Sequence, residues 1–147
     1  MNTTWYECKV KYRKTQDTGV QKIVTEAYLV DALSYTEAES RINEEMTSYI
    51  SEEFKITNIK PVNFSEVYPI EDCDKWFKSK ISLTAYDEES GKERKTNIYL
   101  LVQGNDAKHA YENTCEAMKN SMGDYEIPSV SESKILDIFP YVSGEVE

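Results

Sequence analysis

The residues best suited to bind a ligand are two tryptophans, each followed by cations at alternate positions. Trp5 begins the stretch WYECKV, and Trp76 begins WFKSKI 71 residues later. Alternate residues of a strand share a face, so each tryptophan lies beside the cations that follow it. This pattern suits single-stranded nucleic acid, because bases stack on rings and phosphates lie on cations. The candidate binding residues are Trp5, Lys9, Lys11, Arg13, Trp76, Lys78 and Lys80.

A second interpretation of these residues needs no ligand. Each tryptophan would pack at its strand start against the other half of the chain, while lysine stems cover apolar surface and keep their charges in water. Tyr28 and Tyr99 would extend the binding face only if the second strands present the same side. The sequence leaves open whether this side faces solvent.

No group of residues predicts catalysis. His109 is the only histidine, and Cys115 follows it by six residues on a predicted helix. That spacing corresponds to about 600° of rotation at ~100° per residue, so the two side chains lie on opposite sides. No third group is placed to orient His109. We therefore predict no catalytic residues.

The sequence also predicts no metal and no cofactor. The three cysteines are Cys8, Cys73 and Cys115; their number is odd, and no C-x-x-C occurs. This spacing excludes a disulfide framework and a zinc site. Acidic residues are dense at 87–89, but they lack the alternating ligands of a calcium loop, so a solvated surface is the simpler interpretation.

The first half of the chain has the pattern of a β-β-α-β unit. Residues 5–13 alternate, with Tyr6, Cys8, Val10 and Tyr12 on the dry side, and residues 20–30 form a second strand after the Gly19 turn. Ser34 and Glu37 form a capping box that begins a helix. Residues 54–68 are strand-like around Pro61, which marks a bulge, an edge or a break.

The second half repeats this order. Phe77, Ser79, Ile81 and Leu83 form the dry side of its first strand, Tyr99-Leu100 align under Tyr28-Leu29, and Asn105 is the predicted N-cap of its helix. The sequence therefore predicts an α+β fold, a tandem duplication of a β-β-α-β unit with two helices, antiparallel sheet of six or more strands and a pseudo-twofold relation. We predict a single domain, 1–147, with repeats 4–69 and 75–141, a linker 70–74 and an acidic tail 142–147.

The composition indicates a well-hydrated globular protein. The chain has 147 residues and a net charge of −10. This negative charge disfavours binding to duplex DNA and to anionic membranes. It keeps the protein soluble or, alternatively, mimics nucleic acid so that the protein binds a basic partner. The N-terminus lacks a signal segment, and no apolar run reaches membrane-spanning length. We therefore expect a cytoplasmic protein without a membrane partner.

The chain contains the stretches WYECKVKY, TEAYLVDALSYTEAE, IKPVNFSEVYP, WFKSKI and ILDIFP. In these stretches it resembles an uncharacterised family of small acidic proteins from gut anaerobic bacteria and their phages. The likeness covers nearly the whole chain, and it is most specific in TEAYLVDALSYTEAE. The resemblance carries no activity, cofactor or catalytic residue. It implies a phage or mobile-element setting, in which accessory and host-takeover proteins are common.

Three functions remain open at this point. The first is a non-enzymatic cytoplasmic binding or accessory protein that acts through a protein partner. The second is a single-stranded nucleic-acid-binding protein that uses the Trp/Lys strand face. The third is an enzyme with a pocket between the repeats. The sequence leaves the oligomeric state open, because edge strands can join two chains.

Overall fold

The chain folds as an α+β protein, which confirms the predicted fold class. The structure, a computed structural model, describes residues 2–121 and 123–141; the tail predicted at 142–147 lies outside them. Within these residues the chain forms two helices and eight strands. The elements are β1 (Thr4–Thr15), β2 (Gln21–Ala32), α1 (Tyr35–Tyr49), β3 (Phe54–Val62), β4 (Glu66–Tyr68), β5 (Lys75–Tyr86), β6 (Glu93–Gly104), α2 (Ala107–Met118), β7 (Asp124–Glu132) and β8 (Ile135–Phe139).

The two long hairpins form where the sequence alternates. In β1 the residues Cys8 and Val10 are fully buried, and in β5 so are Ser79 and Ile81, as the predicted dry faces require. Gly19 closes the first hairpin at a φ of 87°, a conformation that glycine adopts without a steric penalty.

Each helix begins at a side-chain cap and packs an apolar stripe on its sheet. Ser34 caps α1, and its hydroxyl accepts a hydrogen bond from the Glu37 backbone N–H at 3.1 Å. The predicted cap of α2 is wrong by one residue: Asp106, not Asn105, is extended and accepts from the His109 N–H at 2.8 Å. A carboxylate here also complements the positive end of the helix dipole.

The strands form two four-stranded sheets, in the orders β3-β1-β2-β8 and β4-β6-β5-β7. Both sheets are mixed, which corrects the predicted antiparallel arrangement: β8 runs parallel to β2, and β4 runs parallel to β6. A hairpin neighbour must be antiparallel because the chain reverses at a tight turn, whereas β4 and β8 pair with strands distant in sequence. Pro61 lies in β3, an edge strand, where its missing N–H is tolerated.

The fourth strand of each sheet comes from the other half of the sequence. The chain accordingly divides into unit 1, the described residues up to Asn63 and from Lys134 onward, and unit 2, Phe64–Ser133. These bounds differ from the predicted repeats 4–69 and 75–141, because β4 lies in unit 2 and β8 in unit 1. The predicted single domain stays a prediction.

Strand register fixes which positions of the two units correspond. In unit 1 Cys8 pairs with Tyr28, and in unit 2 Ser79 pairs with Leu100. Tyr28 therefore corresponds to Leu100, not to Tyr99 as the sequence alignment suggested. A one-residue shift in a strand moves a side chain to the opposite face, so Tyr28 faces its helix and Tyr99 faces away.

Candidate functional site

The cations predicted on β1 share one exposed face of unit 1. Lys9, Lys11 and Arg13 are exposed and alternate with residues that face α1. Lys55 of β3 pairs with Lys11 across the strands and is also exposed. We call these four residues the cationic face. Trp5 lies on the same side of β1 but is half-buried.

The corresponding residues of unit 2 do not form an open stacking surface. Trp76 is 2% exposed, so a base cannot reach its ring; of the two interpretations that the sequence left open, burial holds at this position. Lys78 Nζ lies 4.6 Å from the centre of the Tyr99 ring, and Lys80 is half-buried opposite Tyr99. The sequence left the burial of Trp76 open because strand alternation identifies a face and says nothing about what covers it.

A cleft in unit 1 brings together residues that the sequence had assigned to different roles. It has a volume of about 320 Å³ and opens to solvent between β1, β2, β8 and the end of α1. We call it the tyrosine cleft. Its lining residues are Tyr12, Lys14, Glu26, Tyr28, Tyr49, Ile50, Leu136 and Asp137.

The base of the tyrosine cleft is a hydrogen-bonded carboxylate. The Tyr28 hydroxyl donates to Glu26 Oε1 at 3.1 Å, and Lys14 Nζ lies 3.3 Å from Glu26 Oε2. Tyr12 lines the same cleft on the same face of the hairpin. The Tyr28 hydroxyl and the Lys14 ammonium group thus pair with a carboxylate whose side chain is 13% exposed, as a largely buried charge requires.

One wall of the cleft is aromatic. Phe139 of β8 stacks on Tyr28 with ring centres 5.9 Å apart. The centre of the Tyr49 ring lies 6.2 Å from that of Phe139. Tyr49 is 60% exposed and Leu136 is 51% exposed at the opening. The cleft therefore combines a hydrogen-bonded polar base with exposed apolar edges.

Arg41 positions the strand that carries Leu136 and Asp137. Its guanidinium donates to the Asp31 carbonyl oxygen and, at 2.9 Å, to the carbonyl oxygen of Pro140, directly after β8. The donor on α1 thus ties the C-terminal strand to β2. This contact fixes one lip of the cleft.

The tyrosine hydroxyls of the cleft remain proton donors at neutral pH. Burial, followed by the hydrogen bond to Glu26, raises the pKa of Tyr12 to about 12. Burial and the Glu26 charge also raise the pKa of Tyr28 well above its ordinary value. Neither hydroxyl is therefore activated as a base or nucleophile at neutral pH.

The structure also places a cysteine beside the histidine, but it is Cys73 rather than Cys115. Cys73 Sγ lies 3.8 Å from His109 Nδ1, which already accepts the Asn105 backbone N–H at 3.1 Å. Burial and the charges of Asp72 and Asp74 raise the pKa of Cys73, which opposes a reactive thiolate. Burial likewise raises the pKa of Cys8 to about 12.

Two further observations concern the described residues. They contain no group of three or more His, Cys, Asp or Glu side chains placed to hold a metal ion. Neither described helix combines the length and apolarity needed to cross a bilayer.

One sequence signal pointed to the tyrosine cleft. Glu26 occupies an alternate position with Tyr28 in β2, so a carboxylate interrupts a face that otherwise packs on α1. A charge on a dry strand face requires partners. The partners Tyr12 and Lys14 become evident only from the hairpin register, and Tyr49 and Leu136 only from the tertiary fold.

Comparison with known proteins gives a family without an assigned activity. A family model described as Domain of unknown function (DUF4494) matches residues 4–141. No curated protein and no solved structure matches the chain.

Proposed function

We propose that this chain, which belongs to that family of unknown function, is a non-enzymatic binding protein. It acts through a protein partner whose segment lies in the tyrosine cleft. The observation that carries this proposal is the exposed pair Tyr49 and Leu136 above the Glu26 hydrogen-bond cluster. Tyrosine contributes much to protein interfaces because its ring buries a large area and its hydroxyl keeps a polar contact.

Comparative affinity capture from cells of the encoding organism tests this proposal. Wild type is compared with the double variant Tyr49→Ala/Leu136→Ser and with Tyr86→Ala, a matched removal of a tyrosine that is 69% exposed in unit 2. We expect one protein to be retained by wild type and Tyr86→Ala and lost from the double variant. Equal retention by all three proteins would show that the partner does not use the cleft.

The cationic face favours a second candidate, binding of single-stranded nucleic acid. Lys9, Lys11, Arg13 and Lys55 lie on adjacent strands with exposed side chains, as a phosphate backbone requires. Fluorescence anisotropy with a mixed-sequence oligonucleotide tests it. Binding should weaken with rising salt and in Lys11→Ala/Lys55→Ala, while Lys92→Ala in the unit 2 hairpin has no effect. Absence of binding at low salt would remove this candidate.

We also propose that the chain is a tandem duplication, a cytoplasmic accessory protein of a phage or mobile element. The element order and the alignment of Ala38, Ile42 and Met46 with Ala110, Thr114 and Met118 support the duplication, and the family resemblance supports the setting. A half-chain, residues 1–70, has β4 but lacks the strand that β4 pairs with. If the chain arose by duplication, two copies of this half can supply each other with the missing strand, and we expect a dimer in sedimentation experiments. A folded half that is strictly monomeric would contradict the duplication.

A further inference from the structure

We infer that the tyrosine cleft binds a lysine side chain of the partner protein, with its ammonium group on Glu26. This inference rests on the proposed function and specifies the chemistry of the partner. It follows from the ammonium group of Lys14 that the cleft already holds, from the chemistry of its walls and from the arrangement of the acceptor atoms at its base.

The chain's own Lys14 shows that the cleft accepts an ammonium group. Lys14 lines the cleft with its Nζ 3.3 Å from Glu26 Oε2, and its side chain is 51% exposed, against 13% for Glu26. Lys14 lies next to the end of β1, close to the hairpin turn. An exposed ion pair of this kind is weak, so a second ammonium group can replace Lys14 while the more buried carboxylate stays in place.

The walls of the cleft favour a cation over other ligands. Tyr12, Tyr28 and Tyr49 contribute aromatic rings, whose faces attract ammonium groups. Asp137 adds a second carboxylate at the lip. An anionic ligand would meet two like charges here, and a purely apolar ligand would leave Glu26 without its cation.

The acceptor atoms at the base favour lysine over arginine. Glu26 Oε1 accepts the Tyr28 hydroxyl at 3.1 Å, and Oε2 is the oxygen that faces the Lys14 ammonium group at 3.3 Å. A guanidinium fork that bound both oxygens would have to share Oε1 with the Tyr28 hydroxyl, whereas an ammonium group needs only Oε2, as Lys14 shows. Ile50 and Leu136 are placed to contact the apolar stem of the lysine.

Unit 2 lacks this chemistry at the corresponding positions. The strand register places Leu83, Ile98 and Leu100 where unit 1 has Tyr12, Glu26 and Tyr28. Unit 2 therefore serves as an internal control for any effect of the ligand on tyrosine signals.

The inference is tested by titrating the full chain, with labelled tyrosine rings, with the peptide acetyl-Leu-Lys-Leu-amide. The matched probe replaces lysine by norleucine, which keeps the stem and removes the charge. We expect the lysine peptide to shift the ring signals of Tyr12, Tyr28 and Tyr49 and the norleucine peptide to leave them in place. Equal shifts with both peptides would overturn the inference.

Two variants test the roles of Lys14 and Glu26 separately. Lys14→Met should tighten lysine-peptide binding by about threefold, since it removes a weak competitor. Glu26→Gln should weaken it by roughly tenfold or more, because a charge-assisted hydrogen bond is lost. Lys92→Met is the surface control, and backbone amide spectra show whether each variant is folded. Unchanged affinity in Lys14→Met or in folded Glu26→Gln overturns the inference.

The outcomes also separate this inference from the proposed function. If partner capture is lost in Tyr49→Ala/Leu136→Ser but kept in Glu26→Gln, the lysine inference fails and the protein-binding proposal stands. If capture is independent of Tyr49 and Leu136, the protein-binding proposal fails. Tetramethylammonium that shifts the rings as strongly as the lysine peptide would identify a small-cation site instead and would overturn the assignment to a lysine segment.

Discussion

The two units place different chemistry on the same arrangement of strands and helix. Where the hairpin of unit 1 carries Tyr12, Glu26 and Tyr28, that of unit 2 carries Leu83, Ile98 and Leu100. In unit 2 these side chains join one hydrophobic cluster with Ile81 and Met118. In unit 1 they form a hydrogen-bonded cluster that opens to solvent. The comparison shows that the fold does not require polar groups at this end of the sheet, which supports a ligand-binding role for them.

Near the middle of the helix the polar side chains lie in unit 2 and the apolar ones in unit 1. In unit 2 the buried hydroxyls of Ser79 and Thr114 lie 2.7 Å apart, and Thr114 also donates to the Ala110 carbonyl oxygen at 2.8 Å. In unit 1 the same positions hold Cys8 and Ile42, both fully buried. The buried hydroxyls of unit 2 are hydrogen-bonded, and the buried side chains of unit 1 at these positions need no such partner. The two arrangements are therefore alternative ways to pack the core rather than candidate sites.

The largest expected effect comes from the strand that completes unit 1. Phe139→Ala should reduce the free energy of unfolding by about 3–5 kcal/mol, the usual range for a buried phenylalanine, because its ring packs on Tyr28 in the core. Tyr68 pairs with Val102 as Phe139 pairs with Val30, and it is half-buried. Tyr68→Ala should therefore cost less. Urea denaturation followed by circular dichroism measures both values, and the opposite order would contradict the comparison.

The next effect concerns the buried hydroxyl pair of unit 2. Thr114→Val leaves the Ser79 hydroxyl buried without its partner and should cost about 1–3 kcal/mol. Adding Ser79→Ala removes the unpaired group as well. The double variant should therefore recover part of the loss, which a double-mutant cycle from urea denaturation measures. A double variant less stable than Thr114→Val would contradict the assignment.

A smaller change in stability is expected when two cleft residues are replaced by the residues at the corresponding positions of unit 2. Lys14→Ala/Glu26→Ile copies Ala85 and Ile98 into unit 1. The Tyr28 hydroxyl loses its acceptor, at a cost of roughly 1 kcal/mol, while the removal of a charged pair offsets part of this. Thermal unfolding measures the stability, and titration with the lysine peptide should show that binding is lost. Retained binding would show that Glu26 is not the recognition group.

The smallest effect is a dependence on alkaline pH that distinguishes the units. The pKa of Tyr12 rises from 10.0 to about 12 on folding, so above pH 10 the folded protein keeps a proton that the unfolded chain releases. This contribution to stability is complete below pH 10.0 and is lost as the pH rises toward about 12. Cys8 acts in the same direction, since burial raises its pKa from 9.0 to about 12.

Urea denaturation at increasing pH measures this loss, and tyrosinate absorbance identifies the group. Tyr12→Phe should remove part of the pH dependence, while Tyr86→Phe, at an exposed position of unit 2, should leave it unchanged. An identical alkaline profile for Tyr12→Phe and wild type would show that Tyr12 is not the titrating group.

Much of the local structure follows from the sequence. Alternation predicted the dry faces of β1 and β5, and the capping box predicted the start of α1 at Ser34. These features depend on neighbours within a few residues, where steric preference and hydrogen-bonding geometry act directly. The one-residue error in aligning Tyr99 with Tyr28 arose because the turn lengths of the two hairpins differ, and only strand pairing reveals the register.

The candidate site was predictable only in part. The sequence grouped the cations Lys9, Lys11 and Arg13 correctly on one face, because a strand fixes their common direction. It could not show that Trp76 is buried or that Lys55 lies beside Lys11, since both depend on packing between segments distant in sequence. The tyrosine cleft needs four separate segments, and no local pattern encodes their meeting.

The sequence by itself determined the long strands, their dry faces and the cap of α1, because these are set by residues within one turn or one strand. The tertiary structure alone decided that β8 completes the sheet of unit 1 and β4 that of unit 2. A strand's alternation shows which side is apolar but not which partner edge it joins, since backbone hydrogen bonds are the same for every sequence. That pairing brings Leu136, Asp137 and Phe139 to Tyr28 and Tyr49, and thereby creates the cleft.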